Sequence, residues 1–284
     1  MTTLTPRERF EQDGFIVLPQ LLSPTAVQHY KATLAMYAPS GKTKWTLADG
    51  LVQTPEFWPL IFDQQLRSTL SNVFDGPFKF LQHNDLHVGF SSFTWHRDSV
   101  NRKFGIGGDW EESEVPYRLA RVAIYLQEAS SGFRLGLIRG SHRPDKWLSP
   151  VEQRELKRRT SGLANALSAV SGKDLLADRA DWVATEPGDA IIFDPRIVHT
   201  GSEFSGRKFS VFLAFGEENR HFHRHYRYYR HLRRDLGYKD FPEALAHQLQ
   251  AAGLHPDELP NSSTPIEGAW MPSGLFTAIA KQFK

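Results

Sequence analysis

The chain has 284 residues, 40% hydrophobic and 23% charged, with no cysteine and a net charge of +2. Disulfides and thiolate metal sites are excluded, so any metal must be held by His, Asp, Glu or water. The charge is too small to indicate a nucleic-acid partner. No apolar run approaches the ~18 residues of a membrane span, and polar residues 1–10 lack the apolar core of a signal peptide, so the expected location is cytoplasmic.

Thr5-Pro6-Arg7-Glu8 reads as a capping box with Pro6 at the first helical position, and Gly14 suits a left-handed C-cap. Phe15-Ile16-Val17-Leu18 is a short apolar strand. Ser23-Pro24 opens a second helix with Val27, Tyr30, Leu34 and Tyr37 on one face, and Asp63 caps a third carrying Leu66, Leu70 and Val73. From Phe78 the period changes to two: Phe78, Phe80, Gln82, Asn84 and Leu86 share one face of an expected strand. Amides facing a barrel interior need polar partners, which fits a polar ligand there.

The stretch Thr94-Trp95-His96-Arg97-Asp98 follows. In an extended strand the side chains at i and i+2 point to the same side, so His96 and Asp98 aim an imidazole and a carboxylate at one point while Arg97 looks away. Residues 100–116 contain Gly105-Ile106-Gly107-Gly108, expected as a mobile flap beside the metal rather than a phosphate loop, since no strand-to-helix pattern surrounds it. Asp109, Glu111, Glu112 and Glu114 in that loop are expected as a solvated acidic face. Residues 118–127 alternate, with Arg121, Ala123 and Tyr125 on one face. A turn leads to Phe133-Arg134-Leu135-Gly136-Leu137-Ile138 and then Gly140-Ser141-His142. Ser149-Pro150-Val151-Glu152 opens a charged helical segment. Glu186-Pro187-Gly188-Asp189 is a turn before the apolar strand at 190–193, His199 follows, and 209–215 is the last strand. His199, brought in from a distant strand, would complete two nitrogens and one oxygen on one side of a metal, a facial set that leaves positions open and suits Fe(II) oxygenases.

Beyond residue 216 helices are expected. Phe222, Tyr226, Tyr229, Leu232 and Leu236 recur at helical steps, with Arg220, Arg224, Arg227, His231 and Arg234 opposite. That basic face is either solvated or a site for an anionic substrate. A final helix is expected over 273–283. The fold class is mainly β with added helices, a double-stranded β-helix (jelly-roll) core flanked by N- and C-terminal helices. One domain is expected: residues 1–75 a helical support, 76–216 the core with a helical insertion at about 149–180, and 217–284 a helical extension.

Four landmarks carry a resemblance to a known family. Phe10 to Leu18 fits F-x-x-x-G-(F/Y)-x-x-(L/V), Trp95-His96-Arg97-Asp98 fits W-H-x-D, and Gly140-Ser141-His142 fits G-S-H. Pro187-Gly188-Asp189 leads through a strand to His199. Together they resemble the phytanoyl-CoA dioxygenase family of Fe(II)/2-oxoglutarate oxygenases. The resemblance implies Fe(II), with 2-oxoglutarate and O2 as cosubstrates, and His96, Asp98 and His199 as metal ligands and catalytic centre. It implies hydroxylation of an unactivated C–H bond in a small molecule, with release of succinate and CO2. It also implies a basic residue past the distal histidine for the far carboxylate of 2-oxoglutarate. Arg207 is the choice and Lys208, on the opposite face, the fallback. Thr200, Ser202 and Ser210 are candidate hydroxyl contacts, and Gln82 and Asn84 either reach the cosubstrate or tie strands together. His142 is expected to buttress its hairpin. A carboxylate at Asp98, where related halogenases carry a small residue, fits hydroxylation. The competing reading is a non-catalytic cupin-type metal or small-molecule binding protein.

Overall fold

A computed structural model describes residues 4–39, 42–92, 94–143, 150–151, 154 and 175–272. The charged helix expected from Ser149 and the final helix at 273–283 lie largely or wholly outside these. Helix α1 (Pro6–Asp13) begins as its sequence demands: Thr5 accepts from the Glu8 N–H at 3.2 Å, and the Glu8 carboxylate accepts from the Thr5 N–H at 2.8 Å. It ends at Gly14, whose φ of +86° would strain any side chain and whose absent Cβ would lie 2.5 Å from the His142 ring. Ser23 and Asp63 cap α2 (Pro24–Met36) and α4 (Gln64–Phe74); the short α3 (Gly50–Gln53) lies between them.

Among the described residues ten strands form two sheets, including strands at 45–48 and 181–184 that the sequence did not indicate. The larger runs β1 (Phe15–Leu18), β8 (Ala190–Phe193), β5 (Leu119–Tyr125), β10 (Phe209–Gly216), β4 (Asp85–Val88), β2 (Trp45–Ala48), with β3 (Lys79–Phe80) also on β10. The smaller runs β7 (Asp181–Ala184), β6 (Arg134–Leu137), β9 (His199–Gly201). All described pairings are antiparallel, which lets one sheet bury two unlike faces.

Strand alternation divides those faces. Leu86, Val122, Ile124, Ile192, Val211 and Leu213 join the helices in one core, with Val27, Leu34, Leu66 and Leu70 opposite. The other face turns to the smaller sheet, where Ala123, Tyr125, Ile191 and Phe193 meet Phe133, Leu135 and Leu137. Side chains lying between the two sheets line the barrel interior. Helix α5 (Leu175–Arg179) precedes β7. After β10, α6 (Arg220–Arg227) runs into a π-helical turn at Tyr228–Leu232, and α7 (Glu243–Ala251) packs Leu245 and Leu249 into the helical-side core. No helix among the described residues is long and apolar enough to cross a membrane.

The sequence expectation fails at residues 78–86. One strand is expected there, but β3 and β4 are separated by residues 81–84. The chain breaks because its polar groups bond elsewhere. Asn84 Oδ1 accepts from the Leu51 and Val52 N–H groups, and Asn84 Nδ2 and Gln82 Nε2 both donate to Asp49 Oδ1. These amides fasten α3 to the sheet.

Candidate metal centre

His96, Asp98 and His199 converge, with ligand atoms all within 4.8 Å of one another, and among the described residues they are the one such His/Asp/Glu group. His199 opens β9. His96 lies in no regular strand but forms an isolated antiparallel bridge to His199, its N–H donating to the His199 carbonyl at 3.0 Å and its carbonyl accepting at the same length. This bridge makes the smaller sheet continue into the His96–Asp98 segment. Pro195 O then accepts from the Asp98 and Ser99 N–H groups at 2.8 and 3.0 Å.

Arg97 looks away, as alternation requires, and is fully buried. Its guanidinium donates to the carbonyls of Arg196 at 2.7 Å, Arg102 at 3.3 Å and Ser141 at 3.4 Å. Ser141 Oγ in turn accepts from the Val198 N–H at 2.8 Å, and His142 Nε2 meets Glu11 O at 3.0 Å. The Gly-Ser-His stretch therefore braces both ligand segments, and His142 buttresses.

The imidazole tautomers follow from their partners. His96 Nδ1 is 2.7 Å from Thr94 O and His199 Nδ1 is 3.1 Å from Ile197 O. A carbonyl can only accept, so each Nδ1 carries the proton and each Nε2 presents its lone pair. Those Nε2 atoms lie 3.7 and 3.8 Å from the two Asp98 oxygens, too far for hydrogen bonds and suited to atoms sharing one ion. Burial lowers His96 to about 3 and lowers His199 as well. Burial would raise the Asp98 carboxyl, but His199, Arg121 and His96 outweigh it and hold it well below the usual range. Two neutral imidazoles and an ionised carboxylate form a donor set ready for a divalent cation without displacing protons.

Arg121 completes this centre. It points inward from β5, is 3% exposed, and sits between two carboxylates, Nε 3.3 Å from Asp98 and Nη2 3.0 Å from Asp85. The Tyr229 hydroxyl donates to Asp98 O at 3.1 Å, and its ring stacks on His83 at 3.5 Å. His83 Nδ1 meets His225 Nε2 at 2.9 Å. The sequence offered a signal for Arg121, a cation on the inward face of an otherwise apolar strand, but none for the histidine pair, which joins residues 142 apart.

The other expected contacts are distributed differently. Arg207 is exposed, on the side of Phe209, its guanidinium 5.9 Å from that ring. Phe209 belongs to the helical-side core, so the strand pleat turns Arg207 away from the interior. Lys208 enters instead, 3% exposed, with Nζ donating to Phe90 O at 3.2 Å and Ser210 Oγ at 3.0 Å and with the Phe133 ring 4.6 Å away. No carboxylate among the described residues pairs with it, and burial lowers its amine to about 7. Ser210 thus stands on the interior face beside this cation. Thr200 donates to Ser92 O at 3.1 Å, and Ser202 bonds Arg134 N and Glu203 O. Gln82 and Asn84 are engaged with Asp49, far in role from a cosubstrate contact.

Asp109 and Glu112 depart from the solvated acidic face expected of the loop. Asp109 is fully buried, accepting from the Asn101 N–H at 2.9 Å, and Glu112 pairs with Arg196 at 2.5 Å. Arg224 donates to Asn101 Oδ1 at 2.7 Å and lies 3.7 Å from Asp109, while Arg220 pairs with Glu114 at 3.5 Å. The acidic loop and the first turns of α6 neutralise each other, so Arg220 and Arg224 present no free cationic face.

A jelly roll whose two sheets enclose a two-histidine, one-carboxylate centre defines a class of metal-dependent proteins. The family model of phytanoyl-CoA dioxygenase (PhyH) matches residues 10–209. The chain belongs to this family, whose enzymes depend on iron and 2-oxoglutarate. The fold is shared with solved structures of low identity. HygX from Streptomyces hygroscopicus, with nickel and 2-oxoglutarate bound, gives a TM-score of 0.54 at 17% identity, covering 76% of this chain and 88% of that one. The same protein with hygromycin B also bound gives 0.52 at 15%, covering 74% and 85%. SnoN, an alpha-ketoglutarate-dependent epimerase from nogalamycin biosynthesis, gives 0.51 at 12%, covering 74% and 80%. No match was found among curated proteins.

Proposed function

We propose that this protein is an Fe(II)/2-oxoglutarate-dependent oxygenase that hydroxylates an unactivated C–H bond of a small molecule. The carrying observation is the orientation of the donors: both Nε2 lone pairs and an ionised carboxylate face one point. This donor set fits Fe(II), with His96, Asp98 and His199 as its ligands. When bound there, iron with 2-oxoglutarate would supply the two-electron oxidation of a C–H bond by O2, releasing succinate and CO2.

The chain's own residues supply position and charge. The Thr94 and Ile197 carbonyls fix the rings, and Arg121 keeps Asp98 ionised and oriented. Lys208 is the proposed partner of the far carboxylate of 2-oxoglutarate, with Ser210 beside it. Among the described residues it has no anionic partner, and it is walled by Tyr125, Phe133 and Phe212, which exclude water and strengthen the pairing. The retained cation weighs against the non-catalytic binder, which needs no cosubstrate anchor.

The test is anaerobic addition of Fe(II) and 2-oxoglutarate to metal-free protein. A visible metal-to-ligand charge-transfer band is expected, and His199→Ala should lose both the band and succinate formation. A wild-type protein that binds Fe(II) without the band, or makes no succinate in air, would refute the reading.

A further inference from the structure

We propose that Arg102 is the receptor for an oxyanion on the substrate, which makes the substrate an organic acid or a phosphate ester. Its meaning as a substrate site rests on the oxygenase reading above. The buried arginines around the centre each have a carboxylate or carbonyl partner. Arg121 lies between Asp98 and Asp85, Arg196 holds Asp194 and Glu112, and Arg233 grips Asp235 through two bonds of 2.8 and 2.9 Å. Arg97 is engaged by three carbonyls.

Arg102 differs. Its Nε is buried with no hydrogen-bond partner, and no carboxylate among the described residues pairs with its guanidinium. The group is nonetheless held in place. Its central carbon lies 3.8 Å from the centroid of the Trp270 ring, and Arg233 lies 5.2 Å from the same ring. Trp270 is itself held through its main chain, its N–H donating to Val100 O at 2.9 Å and its carbonyl accepting from Tyr228 Oη at 2.5 Å. The Arg102 carbonyl accepts from Arg97, four residues from Asp98 along the chain. A guanidinium packed over an indole has less rotamer freedom left to lose when its N–H groups meet an oxyanion.

The position is right for a substrate group. Trp270, over which Arg102 packs, accepts from Tyr228 Oη, and the hydroxyl of the adjacent Tyr229 donates to Asp98 O at 3.1 Å. Arg102 thus belongs to the Trp270 and Tyr228–Tyr229 cluster that reaches Asp98, whereas Lys208 contacts Phe90, Ser210, Tyr125, Phe133 and Phe212. One cation is thus left for the cosubstrate and another for the substrate. Arg220 and Arg224 of α6, part of the alternative suggested by sequence, are occupied by Glu114, Asp109 and Asn101.

The experiment uses protein loaded anaerobically with Fe(II) and saturating 2-oxoglutarate, so that the cosubstrate site is filled. Phenylacetate and phenyl phosphate are titrated calorimetrically as one-anion probes, with phenylacetamide as the uncharged control. Wild type should bind at least one anion more tightly than the amide, and the better anion names the oxyanion type. Arg102→Gln should weaken that anion roughly ten- to hundredfold, the scale of a lost charged hydrogen bond. Arg102→Lys, which keeps charge without the fork, should fall between. The 2-oxoglutarate concentration that half-saturates the charge-transfer band should move less than twofold in both variants, which also reports that they are folded. Equal binding of acid and amide, no binding of either anion, or unchanged anion affinity in Arg102→Gln would overturn the proposal. So would a large shift in the 2-oxoglutarate requirement, which would assign Arg102 to the cosubstrate. Absence of the band in wild type would instead overturn the oxygenase reading.

Discussion

Lys208→Met is the sharpest test of how the cosubstrate site is built. The amine is 3% exposed and burial lowers it from 10.5 to about 7. At ~1.4 kcal/mol for each tenfold change in proton equilibrium, holding it charged in the cosubstrate-free protein costs at most about 5 kcal/mol. The unfolded chain keeps this proton up to pH 10.5, whereas the folded one releases it near 7. Between these values the unfolded state binds more protons, so stability rises with pH across that window and the cost is full below pH 7. Methionine has similar length and no charge, so the variant should be more stable than wild type at pH 6 in urea denaturation, and the advantage should fade towards pH 10. Cosubstrate affinity should move the opposite way. Losing a buried ion pair is worth ~3 kcal/mol or more, a hundredfold or greater rise in the 2-oxoglutarate needed for the charge-transfer band. In wild type, binding at pH 8.5 should take up a proton, detectable by calorimetry in buffers of different ionisation enthalpy. A Lys208→Met protein that binds 2-oxoglutarate like wild type, with no stability gain at pH 6, would refute the reasoning.

Other outcomes follow from the same geometry. Arg207→Gln should leave the 2-oxoglutarate requirement within twofold of wild type, because its side chain is exposed on the outer side; a large rise in steady-state KM would return the anchor to Arg207. Arg121→Met strands Asp85 and Asp98 as buried charges and should destabilise by ~3–5 kcal/mol, read as a lowered urea midpoint, with weaker Fe(II) binding as well. Arg97→Met removes the donor to two buried carbonyls, of Arg196 and Ser141, and should cost a few kcal/mol at ~1–3 each, while an unchanged midpoint would show that these segments are braced otherwise. Burial lowers His83, His87, His96, His199 and His225 below 6.5. Below pH 6.5 the unfolded chain takes up protons that the folded one resists, so metal-free stability should be full above pH 6.5 and fall steadily towards pH 4 in denaturation series.

Much of the frame is local chemistry and was legible as such. Thr5 and Glu8 close a capping box within four residues, Gly14 takes a left-handed conformation that favours glycine, and Ser23 and Asp63 cap the helices that follow them. Alternation along β5 and β10 fixes which residues share a face. The pairing of His96 with Asp98 and the outward turn of Arg97 also follow from a two-residue repeat, and the distal histidine from its order along the chain.

What alternation cannot say is which face looks inward. Arg207 and Lys208 are equivalent in sequence, and only the packing of Phe209, Val211 and Leu213 against the helices turns Lys208 to the interior. Nor does sequence reveal competition for polar groups. Gln82 and Asn84 carry the period of a strand, yet Asp49 and the N–H groups of α3, more than thirty residues earlier, capture their amides and break it. The acidic loop and the basic helix each look solvated when taken alone, because opposite charges a hundred residues apart cancel only once the chain has folded. Arg102 reverses that case. Its sequence surroundings give it no role, and only the tertiary structure, which among the described residues supplies an indole but no carboxylate, singles it out as the proposed receptor.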